Sequence, residues 1–272
     1  MIRKLENLKE QNRLTKPLIH CITNPISIHD CANIILASGA RPIMAEHPLE
    51  VAEITKTAQV LALNLGNITD ARMQSMPIAL EVAAQAKIPV MLDLVGTACS
   101  LLRKNFAKKL LALHMPSILK GNMSELLAMI DEESHAIGID AGEKDSITEK
   151  NRRQLALLFQ KKAKEWNTVF LITGKEDMIV SEKECFFIQN GSPAMANITG
   201  TGCMLGMICA SYLASASTAV DAALTSAVEF GIAGELAAKE GEAPGSFQVH
   251  LLDAFYQLDE RKRDSLSKIL VL

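Results

Sequence analysis

Aromatic residues are scarce in this chain: one Trp, two Tyr and eight Phe make up only 4% of 272 residues. The core must therefore be built from Ala, Leu, Ile, Val and Met, within an apolar share of 49%. Charge runs are missing too. The formal charge of −3 is spread along the chain, which leaves no footprint for nucleic acid or an anionic membrane surface. No Pro/Gly/Ser-rich linker, repeat or low-complexity tract divides the sequence, so one large α/β domain spanning residues 1–272 is expected. Ser192 to Val220 carries no formal charge, yet it holds Pro193, Asn197 and many Gly, Ser and Thr. A spanning helix needs about 20 predominantly apolar residues, so this stretch reads as a loop followed by a buried helix. Met1 to Leu14 lacks the apolar centre of a secretory signal. The six cysteines, at 21, 31, 99, 185, 203 and 209, form no CxxC pair, which points to reduced thiols in a cytoplasm. Neither a G-x-x-x-x-G-K-[ST] loop nor a G-x-G-x-x-G turn after a first strand is present, so the two folds they mark are unsupported.

What is present is alternation. Short apolar runs at Leu18–Ile22, Pro42–Met44, Val60–Asn64, Val90–Leu94, Ile118–Lys120 and Val169–Thr173 predict strands. Amphipathic stretches such as Ser27–Ser38, Leu49–Ala58, Ala71–Ala86 and Leu101–Leu113 separate the first of them. Fully apolar strands belong in a sheet covered on both faces, and strand–helix alternation argues for βαβ units and a parallel sheet. Met178–Val180 and Cys185–Ile188 predict an antiparallel hairpin at one edge, followed by Ala-rich helices over about 203–214 and 219–239. In an open parallel sheet, ligands bind beyond the carboxyl ends of the strands. That singles out Thr23-Asn24, Ala45-Glu46, Gly66-Asn67, Asp93, Lys120-Gly-Asn122 and Thr173-Gly174.

The strongest local signal is Asn197-Ile-Thr-Gly-Thr-Gly-Cys203, which leads into an apolar helix. Gly200, Thr201 and Gly202 can turn consecutive N–H groups inward, and the helix start adds partial positive charge, making a hole for a phosphoryl group. Cys203, in the first helical turn, is expected to have its thiol pKa drawn down by the same dipole. The bland alternative is a Gly-rich turn with a small buried Cys. Asp93 and Glu125 could share Mg²⁺, which favours one or two carboxylates, water and phosphate oxygens. Glu125 also stands at N3 after Asn122, a capping-box position. Lys120 could neutralise a terminal phosphate and Thr173 could donate to one. His20-Cys21 do not suit zinc, because adjacent strand residues face opposite ways. Ser27–Asp30 reads as an S-x-x-D helix start.

These motifs together resemble the hydroxyethylthiazole kinase family of the ribokinase-like superfamily, from about residue 17 to about residue 258. They are Cys21-Ile-Thr-Asn24, Ala32-Asn33, Gly39-Ala-x-Pro-x-Met44, Leu63-Asn-x-Gly66, Pro89-Val-x-Leu-Asp93, Gly121-Asn-x-x-Glu125, Gly138-x-Asp140, Ile172-Thr-Gly174, Asp177, Thr199-Gly-x-Gly-Cys203 and Gly245-Ser-Phe-Gln248. The resemblance implies a ribokinase-like fold and ATP- and Mg²⁺-dependent phosphorylation of 4-methyl-5-(2-hydroxyethyl)thiazole in thiamine salvage. It implies that Met44 and Gly200 contact the thiazole, with Asn24 and Gly66 on the same side. Lys120 and Thr173 would contact ATP, with Thr201 and Gly202 at its phosphates, and Asp93 and Glu125 would serve Mg²⁺. Cys203 would stand where most ribokinase-like enzymes have a catalytic Asp. A homotrimer with sites at subunit interfaces is implied as well.

One departure stands out. The family usually reads Asp-Pro-Val-Gly-x-Gly-Ala-Thr after the acid, whereas this chain has Asp93-Leu-Val-Gly-Thr-Ala-Cys-Ser100. Leu94 frees a φ that proline would fix, and Ala98 removes a residue tolerant of positive φ, which puts turnover in question. A pyrimidine-alcohol kinase, a thiazole-binding protein with weak or lost activity, and thiol chemistry at Cys203 remain the alternatives.

Overall fold

The computed structural model describes residues 4–131, 136, 142 and 145–272, so the Gly138-x-Asp140 motif lies outside the described residues. Among the described residues, nine strands form one sheet in the order β2-β1-β3-β4-β5-β6-β7-β8-β9. They are β1 Leu18–Ile22, β2 Arg41–Ile43, β3 Val60–Asn64, β4 Val90–Asp93, β5 Ile118–Asn122, β6 Val169–Thr173, β7 Asp177–Val180, β8 Cys185–Ile188 and β9 Ile269–Val271. The pairings from β2 across to β6 are parallel, and those from β6 to β9 are antiparallel. The expected α/β sheet with an antiparallel hairpin is therefore present, and β9 takes the edge that the hairpin was expected to occupy.

The central strands are apolar on both sides because both sides are covered. Ile19, Val60 and Ala62 enter one core with residues of α2 (Ile28–Ala37), α8 (Thr201–Leu213), α9 (Ala219–Glu240) and α10 (Pro244–Gln257). Ile22, Leu61 and Leu63 enter the other with α4 (Asp70–Ala86), α5 (Leu101–Leu113), α6 (Met123–Met129) and α7 (Arg152–Trp166). The period-2 alternation of strand side chains divides each strand between the two cores. Helix α9 starts where the Thr218 side chain accepts from Asp221 N–H. Its Ala and Gly residues let it lie between the sheet, α8 and α10, buried along most of its length.

Remote parts of the chain are joined by a buried polar cluster. Glu229 of α9 faces Lys9 Nζ at 3.4 Å and Arg263 Nη1 at 3.4 Å, and it accepts from the Tyr212 hydroxyl. Lys9, in α1 (Leu8–Thr15), also donates to Phe255 O at 2.5 Å and Leu258 O at 3.2 Å. Arg263, in α11 (Glu260–Leu266), reaches back to Glu6 O and Leu5 O. Burial lowers the Lys9 pKa despite the Glu229 charge. Removing the anion strands two buried cations, a change that typically costs about 3–5 kcal/mol. Glu229→Ala should lose about that much stability in denaturant unfolding at neutral pH, and Glu229→Gln, which keeps an acceptor, should lose less.

Candidate active site

Six parallel strands bring their carboxyl ends into one row. Met44 follows β2, Asn24 β1 and Gly66 β3, while Asp93 closes β4, Lys120 lies within β5 and Thr173 closes β6. Parallel strands stand about 4.8 Å apart. Met44 and Thr173 are thus separated by five strand spacings, roughly 24 Å along the sheet edge. Asp93 occupies the middle of that row.

Asp93 is fully buried, and so is almost all of Lys120. Their strands are in register, and Lys120 Nζ donates to Asp93 Oδ2 at 3.0 Å. Burial drives the Asp93 carboxyl up, against the pull of Lys120 and the amide of Asn64. Burial also works to lower Lys120, but the charges of Asp93, Cys203 and Glu125 outweigh it and hold the ammonium pKa up. Asp93 Oδ1, by contrast, is buried and has no hydrogen-bond partner among the described residues. A buried carboxylate oxygen left unpaired is costly, so this oxygen is suited to a cation arriving with a ligand.

The Gly-rich turn lies against this pair. Gly200 is the N-cap of α8 with φ of +87°, and a Cβ there would come within 2.7 Å of Ser27 Cβ. Only glycine meets both conditions without strain. Thr201 Oγ1 donates to Met195 O at 3.2 Å, and a Cβ on Gly202 would stand 3.8 Å from Lys120 Nζ. Cys203 occupies the first turn of α8 and accepts from Asn64 Nδ2 at 3.4 Å. Its thiol pKa is raised, first by burial and then by the neighbouring Asp93 charge, with Lys120, Ser27 and Asn64 opposing. The expectation of a lowered thiol pKa is corrected: a helix dipole is a fraction of a charge, and burial beside a carboxylate outweighs it.

Glu125 forms the capping box of α6, accepting from Asn122 N–H at 2.8 Å. Its other oxygen accepts from Gly96 N–H at 2.6 Å, so one carboxylate fastens the loop after β4 to the start of α6. Burial and the charge of Asp93 push its pKa up to about 7 against those two N–H groups. In that loop Gly96 takes φ of +80°, and Ala98 has no positive φ. The replacement at Ala98 is therefore without backbone strain. Leu94 is fully buried, and its N–H donates to Lys120 O at 2.8 Å, a bond that proline could not make. Both departures from the family pattern are accommodated in this backbone.

On the other side of Asp93, Asn24 Oδ1 accepts from Ile26 N–H at 3.0 Å, and its amide lies against Gly66. The buried Arg72 ties Glu46 (2.8 Å) to the carbonyls of Gly66 (3.3 Å) and Asn67 (2.9 Å). His20 contacts Thr55 Oγ1 and Ala45 O, both at 2.9 Å, which pins the turn after Met44. Ser27 begins α2 without a side-chain cap; its hydroxyl accepts from the Cys31 thiol, and Asp30 accepts from Gln248 of α10 instead. Thr173 Oγ1 donates to Gly121 O at 3.4 Å, one strand beyond Lys120. Asp177, whose pKa burial pushes up to about 7, accepts from Gly174 N–H at 2.9 Å.

The structure thus brings Asp93, Lys120, Gly202 and Cys203 into one cluster, with Glu125 reaching it through the Gly96 loop. Met44 and Thr173 stand toward opposite ends of the row. Asn64, Arg72, His20 and Asp177 had no assigned role in the sequence, although Asn64 follows Leu63 at a strand end, as Asp93 follows Leu92.

The model of the "Hydroxyethylthiazole kinase family" matches residues 8–261. Hydroxyethylthiazole kinase 2 of Clostridium botulinum (strain Okra) is 46% identical over 253 residues, covering 93% of this chain and 95% of that protein. Hydroxyethylthiazole kinase of Methanosarcina mazei is 37% identical over 265 residues, covering 97% and 99%. Among solved structures, the hydroxyethylthiazole kinase protein of Pyrococcus horikoshii OT3 superposes with a TM-score of 0.87, at 29% identity and 97% coverage of both chains. An ADP/ATP-dependent NAD(P)H-hydrate dehydratase from Bacillus subtilis, co-crystallized with ATP/Mg²⁺, shares the fold at a TM-score of 0.59 and 14% identity, over 92% and 97% of the two chains. By sequence and by fold, the chain belongs to the hydroxyethylthiazole kinase family.

Proposed function

We propose that this protein, acting as one domain, transfers the γ-phosphoryl group of ATP to the primary hydroxyl of 4-methyl-5-(2-hydroxyethyl)thiazole, giving the monophosphate used in thiamine salvage. The observation that carries this reading is the cluster at mid-sheet: a buried carboxylate with one unpaired oxygen, a buried ammonium and a glycine turn at a helix start. The hydroxyl oxygen attacks the γ-phosphorus, the bond to the β–γ bridging oxygen breaks, and ADP departs. Lys120 and the N–H groups around Thr201 and Gly202 neutralise the charge on the phosphoryl oxygens in flight. Thr173 serves ATP beyond Lys120. Met44, Asn24, Gly66 and Gly200 bound the thiazole. Cys203, by position, stands where the hydroxyl proton leaves; it accepts that proton only as the thiolate, a form that burial beside Asp93 opposes and that Lys120 favours.

The residues fit Mg²⁺. Asp93 offers its unpaired Oδ1 and Glu125 lies one loop away, while no three His, Cys, Asp or Glu side chains among the described residues converge on a metal. Such a site needs phosphate oxygens and water to complete it, as Mg²⁺ sites commonly do. When bound, the ion screens the phosphate charge; Asp93 and Glu125 would hold it. Exposed apolar side chains follow Met44 and Asn24 closely in the chain, with Leu49 86% and Ile26 63% exposed. They leave apolar surface for a neighbouring subunit to cover in the homotrimer that this proposal includes, with sites completed at subunit interfaces. No helix among the described residues is long and apolar enough to cross a membrane, which accords with a cytoplasmic enzyme.

Incubation with ATP, Mg²⁺ and a panel of thiazole and pyrimidine alcohols, read by mass spectrometry, should yield the thiazole monophosphate as the main product. A pyrimidine phosphate would shift the acceptor assignment, and alcohol binding without product would leave a binding protein. Asp93→Asn and Glu125→Gln should each lower kcat and raise the Mg²⁺ requirement; if Glu125→Gln loses only about 1 kcal/mol of stability, Glu125 is a cap alone. Because positioning and charge stabilisation dominate phosphoryl transfer, Cys203→Ala should fall at the lower end of the ~10²–10⁴-fold range for a lost base. Cys203→Asp should remain clearly active. A dead Cys203→Asp beside a fully active Cys203→Ala would make the thiol a packing group.

A further inference from the structure

Asn64 closes β3 directly opposite Asp93 of β4 and is fully buried. Its amide is fully engaged at this junction. Oδ1 accepts from Gly66 N–H at 2.8 Å, while Nδ2 donates to Asp93 Oδ2 at 3.1 Å and to Cys203 Sγ at 3.4 Å. The Gly66 contact settles which way the amide faces, since only its oxygen can accept a backbone N–H. Asn64 and Lys120 therefore place two donors on the same carboxylate oxygen, and Oδ1 receives none. A carboxylate free to rotate would share its donors between both oxygens. Here the lateral amide fixes the plane of the group and leaves Oδ1 as its open position.

We propose that Asn64 is a positioning residue: it orients Asp93 so that Oδ1 stays available to a divalent cation, and it holds Cys203 Sγ beside that carboxylate. The proposal rests on the metal role of Asp93 proposed above. An Asp at this position could not donate to either neighbour, and an apolar residue would leave Gly66 N–H without its acceptor.

The test uses the full-length protein with Mn²⁺ as an electron-paramagnetic-resonance probe, in the presence of a non-hydrolysable ATP analogue. Asn64→Ala should melt cooperatively and bind Mn²⁺ about 10–100-fold more weakly, the usual cost of losing a group that orients a metal ligand. Asp93→Asn should weaken Mn²⁺ as well, and the double variant should bind no more weakly than Asp93→Asn alone. That last result is what separates orientation of Asp93 from general support of the fold, for which the losses would add. Wild-type Mn²⁺ affinity in Asn64→Ala beside a weakened Asp93→Asn, or additive losses in the double variant, would overturn the role of Asn64 alone. Unchanged Mn²⁺ affinity in Asp93→Asn would overturn the metal role of Asp93 and this proposal with it. Should Asn64→Ala fail to fold, Asn64→Ser, which retains an acceptor for Gly66 N–H, takes its place in the same measurements.

Discussion

The ion pair between Asp93 and Lys120 is the constraint around which the site is organised. Two charges taken out of water at the middle of a sheet need compensation from every side. β3 supplies an amide, α8 supplies its first turn, and the in-register pairing of β4 with β5 holds the two groups at 3.0 Å. The Leu94 N–H bond to Lys120 O extends that pairing by one residue at the point where the carboxylate ends the strand. At this junction Oδ2 takes both donors and Oδ1 takes none.

Glu125 shows how one side chain can serve the fold and the site together. It satisfies the start of α6 and grips Gly96. The loop after β4 is thereby fixed to the element after β5, and Arg103 donates to Val95 O at 3.2 Å from the far side of the same loop. Capping is usually a local matter of about 1 kcal/mol, but in this position it also sets the shape of the wall beside Asp93.

Much of this was legible in the sequence because it is local. The runs Val60–Asn64 and Val169–Thr173 coincide with β3 and β6, and the Asn122–Glu125 capping box formed as its spacing indicated. What escaped depends on distant partners. β9 is three residues long and exists by pairing with β8, far earlier in the chain. Asn64 looked like the end of a strand, since its importance comes from Asp93 on the next strand and Cys203 on a helix much later in sequence. The thiol of Cys203 followed its burial and its neighbour's charge more than its place on a helix, and burial is a property of the assembled core. Ser27 kept the helix start that its pattern announced, but its hydroxyl accepts from the Cys31 thiol and the Asp30 side chain turns to Gln248 of α10.

The short strand β2 has one further consequence. It is an edge strand of three residues, with Arg41 exposed and its other two residues half-buried, whereas the charged cluster sits three strands inward. Under the proposed assignment, Met44 would bring one wall of the alcohol site from the periphery of the sheet, while Asn24, Gly66 and Gly200 would tie the rest of it to the interior. A substitution in β2 would reshape that wall three strands away from Asp93. Such a layout makes β2 the natural place to begin retargeting this chain toward other small alcohols.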